Sequence, residues 1–126
     1  MAFVLRGPQR AVLFVPDVDA WEKAPGLLER LLDGVDVAYL DGTFYDGREL
    51  PDRDLNEIPH PLMVRTMDRL AEVARARPGA VRFLHCNHSN PVLHDPALRA
   101  ALEARGDRKS TRLNSSHLVN LVCRLL

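Results

Sequence analysis

Three short apolar runs constrain this chain more than anything else in it: Ala11-Val12-Leu13-Phe14-Val15, Val35-Asp36-Val37-Ala38-Tyr39-Leu40 and Val81-Arg82-Phe83-Leu84. Short runs rich in β-branched and aromatic residues read as strands, and the first is so continuously apolar that it should be buried on both faces. Ahead of it, Ala2-Phe3-Val4-Leu5-Arg6 is separated by Gly7-Pro8-Gln9, which predicts a β-hairpin. Between the runs the apolar spacing changes to that of helices. Trp21, Leu28, Leu31 and Leu32 mark an amphipathic helix over 21–33, ended by Gly34. Met63, Met67, Leu70 and Ala74 mark another from Leu62 to Arg77, stopped by Pro78-Gly79. A third opens at Asp95-Pro96, packs through Leu98, Ala101 and Leu102, and closes at Gly106. A hairpin followed by alternating helices and strands is the pattern of an α/β fold.

Each apolar run ends in residues suited to chemistry. The first gives way to Pro16-Asp17, the second to Asp41-Gly42-Thr43, and the third to His85-Cys86-Asn87-His88-Ser89-Asn90-Pro91. In open α/β sheets ligands sit beyond the carboxyl ends of the strands, so these residues should gather on one edge. If the chain stays extended past Leu84, His85 and Asn87 point to one side, and His88 and Asn90 follow as it turns at Asn90-Pro91. The long polar segment Phe44 to Pro61 adds His60, held between Pro59 and Pro61. A stiffly held imidazole suits an acid, a base or a metal ligand, the alternative being a histidine that merely caps the following helix. Carboxylate oxygen with imidazole is a donor set for Zn2+, with Mn2+ or Fe2+ as other candidates, and such sites acidify bound water for hydrolysis. The rival reading is an unrelated α/β domain whose histidines are solvated.

The last twenty residues need separate treatment. Asp107-Arg108-Lys109-Ser110-Thr111-Arg112-Leu113-Asn114-Ser115-Ser116-His117 reads, in frame, as the translation of a common short-read sequencing adapter. Leu121-Val122-Cys123-Arg124-Leu125-Leu126 reads as its continuation after a gap the size of an index barcode. Residues 107–126 are therefore expected to be a non-native tail, disordered or adventitiously helical, and residues 1–106 the domain. The whole chain has 17 basic and 17 acidic residues. Without the tail the acids are in slight excess, so no nucleic-acid partner is expected. Cys123 leaves with the tail, and an unpaired Cys86 suits a reducing compartment or a thiol near a metal better than a disulfide scaffold. No apolar run reaches the roughly 18 residues of a membrane span. A soluble, cytoplasmic protein with a small-molecule substrate is the expectation.

Taken together, Leu13-Phe14-Val15-Pro16-Asp17, Tyr39-Leu40-Asp41-Gly42-Thr43-Phe44, Glu57-Ile58-Pro59-His60-Pro61 and Phe83-Leu84-His85-Cys86-Asn87-His88-Ser89-Asn90-Pro91 resemble the second half of metallo-β-lactamase-fold hydrolases. The branch they look most like is that of coenzyme PQQ synthesis protein B, and the resemblance covers residues 1–106. It implies the C-terminal half of an αββα sandwich. The family's His-x-His-x-Asp-His motif has no counterpart here, so the incomplete polypeptide is expected to be inactive by itself. It also implies metal ligation by Asp17 and His85, and proton transfer to the leaving group by His60 working with Asp41, as in the related tRNA-processing hydrolases. Asn87, His88 and Asn90 would line the substrate pocket or support the ligands. The parent would be a zinc hydrolase with one or two metals, attacking with metal-bound hydroxide, and a homodimer is allowed. The alternative is a non-catalytic carrier or accessory protein of PQQ biosynthesis.

Overall fold

The computed structural model describes residues 1–109. Strands β1 (Phe3–Arg6) and β2 (Ala11–Val15) form the expected antiparallel hairpin, with Phe3 opposite Phe14 and Arg6 opposite Ala11. Strands β3 (Val37–Asp41), β4 (Val81–Leu84) and β5 (Arg108–Lys109) then add in parallel, giving one sheet in the order β1-β2-β3-β4-β5. The register aligns Val15 with Leu40 and Leu40 with Phe83, so β2, β3 and β4 all end at the same edge. That alignment places the residues after each strand side by side.

Sequential parallel strands joined by crossovers of one hand receive their helices on one face. The packing agrees. Leu28 and Leu32 of α1 (Leu27–Leu32), Met63 and Met67 of α2 (Met63–Arg69), Ala74 of α3 (Ala71–Ala76) and Leu102 of α4 (Pro96–Ala104) all join one core cluster. The sheet contributes Leu13, Val15, Ala38, Leu40, Val81 and Phe83 to that cluster. The alternate residues Val12, Val37, Tyr39 and Leu84 form a smaller apolar cluster, the period of two placing them on the other face.

Two expected helices are interrupted. In place of one helix over 21–33 there is a 3-10 turn at Trp21–Lys23, then Gly26 in the left-handed region (φ 73°), and only then α1. Pro25 is the cause: it disfavours helical backbone at Ala24, which sits at φ −136°, ψ 76°. Trp21 is core, as a large aromatic at that spacing should be, and its indole N–H donates to Thr66 Oγ1 at 3.2 Å. The helix over 62–77 is kinked at Leu70 (φ −102°, ψ 13°) into α2 and α3. Helical bonding nevertheless runs through it, from Leu70 N to Thr66 O and from Ala74 N to Leu70 O. The third helix is α4, capped by Asp95 Oδ1 accepting from the N–H groups of Ala97 and Leu98.

Residues 107–109 depart from the disordered or helical tail expected there; residues 110–126 lie outside the described residues. Arg108 and Lys109 pair with Arg82 and Phe83, because the outer edge of β4 offers backbone groups that need partners. Asp107 is fully buried, and neither carboxylate oxygen has a hydrogen-bond partner among the described residues. Burial pushes its carboxyl up to about 6, against the smaller opposing pull of Arg105 and Arg108. A carboxyl whose folded pKa is raised favours folding at low pH, and that contribution is lost as pH rises through the folded pKa. Asp107→Asn is therefore expected to stabilise the protein at pH 7 by about 1–3 kcal/mol, with the gain vanishing below about pH 4. Urea unfolding of both proteins across that range checks it; an equal difference at every pH would contradict it.

Candidate active site

Asp41, the last residue of β3, is buried at the sheet edge with its side chain wholly shielded from solvent. A buried carboxylate must be satisfied, and this one is satisfied at both oxygens. Oδ1 accepts from Thr43 N (2.8 Å) and Thr43 Oγ1 (2.6 Å). Oδ2 accepts from Val18 N (3.1 Å) and faces His60 Nδ1 at 2.7 Å. The Val18 bond ties the segment leaving β2 to the end of β3, which brings Asp17 in. Asp17 Oδ1 stands 3.6 Å from His60 Nδ1, with its side chain 70% exposed. Ligand atoms of Asp17, Asp41 and His60 all lie within 4.8 Å of one another.

His60 is delivered by the 44–61 segment, which is ordered by its own acid. Glu49 folds back to accept from the N–H groups of Tyr45, Asp46 and Gly47. The N–H groups of Met63 and Val64, at the start of α2, donate to the carbonyls of Phe44 and Tyr45. The segment encloses a cavity of about 190 Å3 lined by Phe44, Leu50, Arg53, Glu57 and Ile58, with His60 in its wall.

His85 reaches the same edge, but not by staying extended. Its φ is 60°, the only left-handed non-glycine residue among those described, so the pleat argument that set His85 and Asn87 on one side does not hold. The chain turns immediately after β4 because it is clamped against the end of β3: Gly42 N donates to Leu84 O, and Asn87 N to Thr43 O. Such a conformation costs on the order of 1 kcal/mol and persists only where the surroundings impose it. The turn sets the His85 ring 6.2 Å from that of His60, and its Nδ1 3.3 Å from Thr43 Oγ1.

The other loop residues are placed differently. Asn90 is fully buried; its amide donates to Gly42 O at 2.7 Å while Oδ1 accepts from Val92 N, capping the 3-10 turn Pro91–Leu93. It staples the loop to the end of β3. Asn87 Nδ2 donates to Ser89 Oγ, and His88 is exposed, its carbonyl meeting His94 Nε2 at 2.7 Å. Thr43, marked in the sequence only as part of Asp-Gly-Thr, touches Asp41, His60 and His85 with its hydroxyl. Nothing in a single threonine two residues past a strand signals this.

Among the described residues, those whose ligand atoms lie close enough to share an ion are Asp17, Asp41 and His60, oxygen and nitrogen ligands of the kind zinc takes, with the His85 ring 6.2 Å from that of His60. With four donors already on its oxygens, Asp41 suits an orienting role toward His60 better than ligation. Burial pushes the Cys86 thiol up, which disfavours the thiolate a metal needs.

No protein-family model matches the chain, and no curated protein does. Among solved structures, Zn(2+)-bound PqqB from Methylobacterium extorquens is similar to it with a TM-score of 0.69 and 23% sequence identity, over 86% of this chain. The match spans 38% of the PqqB chain. No described helix is long and apolar enough to cross a membrane. At this identity the likeness speaks for architecture: the chain has the mixed α/β fold of a part of PqqB.

Proposed function

We propose that this chain is part of a zinc-dependent hydrolase of the PqqB-like metallo-β-lactamase fold, with Asp17 and His85 as metal ligands and Asp41 and His60 as a proton-transfer pair. The observation that carries the reading is the grouping of Asp17, Asp41 and His60, from three separate segments, with the His85 ring 6.2 Å from that of His60 and its Nδ1 3.3 Å from Thr43 Oγ1. A zinc ion bound there would lower the pKa of a coordinated water. The chain's own residues do the rest. His60 Nδ1 donates to Asp41 Oδ2, which holds the ring in one orientation and leaves Nε2 to carry a proton to a leaving group. Val18 N and Thr43 keep Asp41 in place. The cavity beside His60, walled by Phe44, Leu50 and Ile58, would seat only part of a substrate, its 190 Å3 falling below the roughly 300–1,000 Å3 of small-molecule sites. The apolar second face of the sheet is the surface that would meet the second sheet of the αββα sandwich.

Two committed ligands and a neighbouring imidazole fall short of a closed zinc site, so the chain alone is expected to bind zinc weakly and to hydrolyse nothing. Loss of a mere supporting partner weakens metal binding about 10–100-fold, so Asp17→Ala and His85→Ala should each cost at least that. Calorimetric zinc titration of the three proteins tests the reading. Binding indifferent to both substitutions would refute the ligand assignment; no binding at all would favour the carrier role in PQQ biosynthesis. Tight binding with turnover would refute the claim of inactivity.

A further inference from the structure

We infer that Thr43 is a positioning residue that fixes the tautomer of His85, so that the Asp41 carboxylate aligns two imidazoles at once, one directly and one through this hydroxyl. A threonine hydroxyl has one proton and two lone pairs. That proton is committed: Thr43 Oγ1 lies 2.6 Å from Asp41 Oδ1, the shortest contact it makes, and a carboxylate can only accept there. Toward the two rings Oγ1 is therefore an acceptor, at 3.2 Å from His60 Nδ1 and 3.3 Å from His85 Nδ1. Each ring nitrogen facing it must carry the hydrogen. His60 Nδ1–H has the nearer partner in Asp41 Oδ2 at 2.7 Å, whereas His85 Nδ1 has no hydrogen-bond partner but Thr43 among the described residues. Both rings are thus Nδ1–H tautomers with Nε2 free of hydrogen when neutral, although a solvated neutral imidazole prefers the Nε2–H form. Thr43 is buried, 7% exposed, so its hydroxyl is largely shielded from water, while the His85 it meets is an exposed residue.

The chemical consequence rests on the site proposed above: a ligating or basic imidazole must present a bare nitrogen, and the hydrogen bond at the other nitrogen decides which one that is. The tautomer itself stands independently of any metal. The test is the set of imidazole 15N shifts and long-range 1H–15N correlations of the full chain at about pH 9, where imidazoles are neutral, with peaks assigned through single histidine variants. His60 and His85 should both be Nδ1–H in the parent sequence. In Thr43→Val, which keeps the shape and removes the hydroxyl, the His85 ratio should shift toward Nε2–H by about fivefold or more, the worth of one hydrogen bond, while His60 stays Nδ1–H through Asp41. Thr43→Ser should restore His85. A His85 found as Nε2–H in the unsubstituted protein overturns the inference without any variant, as does an unchanged ratio in Thr43→Val. Correct tautomers with no zinc binding would instead remove the hydrolase reading and leave this one standing.

Discussion

Asp41→Ala is expected to cost about 3–5 kcal/mol of folding stability, a large part of what a domain of this size has. The carboxylate is buried at the end of β3 and receives Thr43 N, Thr43 Oγ1 and Val18 N as well as His60. Truncation strands those donors where water does not reach them, and leaving a buried partner unpaired is costlier than never having formed the bond. Asp41→Asn keeps one accepting oxygen but turns an NH2 toward N–H donors, so it should fall between alanine and the native residue. Urea unfolding reads both. The midpoint should fall while the slope stays constant, and a loss below about 1 kcal/mol for alanine would mean that the carboxylate is hydrated and the edge open.

Gly106→Ala is the second substitution with a large expected effect. Gly106 follows α4 with φ 93°, and a methyl group there would overlap the backbone carbonyl of Ala74 in α3. Gly106 O also accepts from Gly79 N at 2.7 Å, so the backbone cannot simply withdraw. Positive φ costs an L-residue roughly 1–2 kcal/mol, and an overlap with backbone adds overpacking strain of about 1–3 kcal/mol more. Thermal denaturation should show a fall of at least about 10 °C, given 4–8 °C per kcal/mol in domains near this size. A shift of a degree or two would show that Gly106 does not lie against the Ala74 carbonyl as described.

Much of this architecture is legible from the residues, for one physical reason. Buried parallel strands must be apolar at nearly every position, so Ala11–Val15 and Val81–Leu84 announce themselves, and the acids and imidazoles beyond them stand out as the first polar groups at the sheet edge. Parallel register then does what no single segment could: it sets Asp41 between the segment that carries Asp17 and the one that carries His85. What escapes sequence reading depends on contacts between distant residues. The left-handed turn at His85 is imposed by Gly42 and Thr43, and the staple made by Asn90 by Gly42. The broken helix around Pro25 was readable from the proline's effect on Ala24, which the apolar spacing of Trp21 and Leu28 masked. Asp107 is another case: expected in a disordered or helical tail, it fills a buried slot with no hydrogen-bond donor to meet it among the described residues.

The claim on which the rest depends is that one carboxylate and two imidazoles from different segments share a single cation-binding edge. Zinc added stepwise while the imidazole 15N resonances are followed tests it most directly. His85 should move first and furthest, His60 should follow as its neighbour, and the exposed His88 and the separately bonded His94 should keep their shifts. Movement of His88 or His94 ahead of His85, with His60 unchanged, would contradict the account.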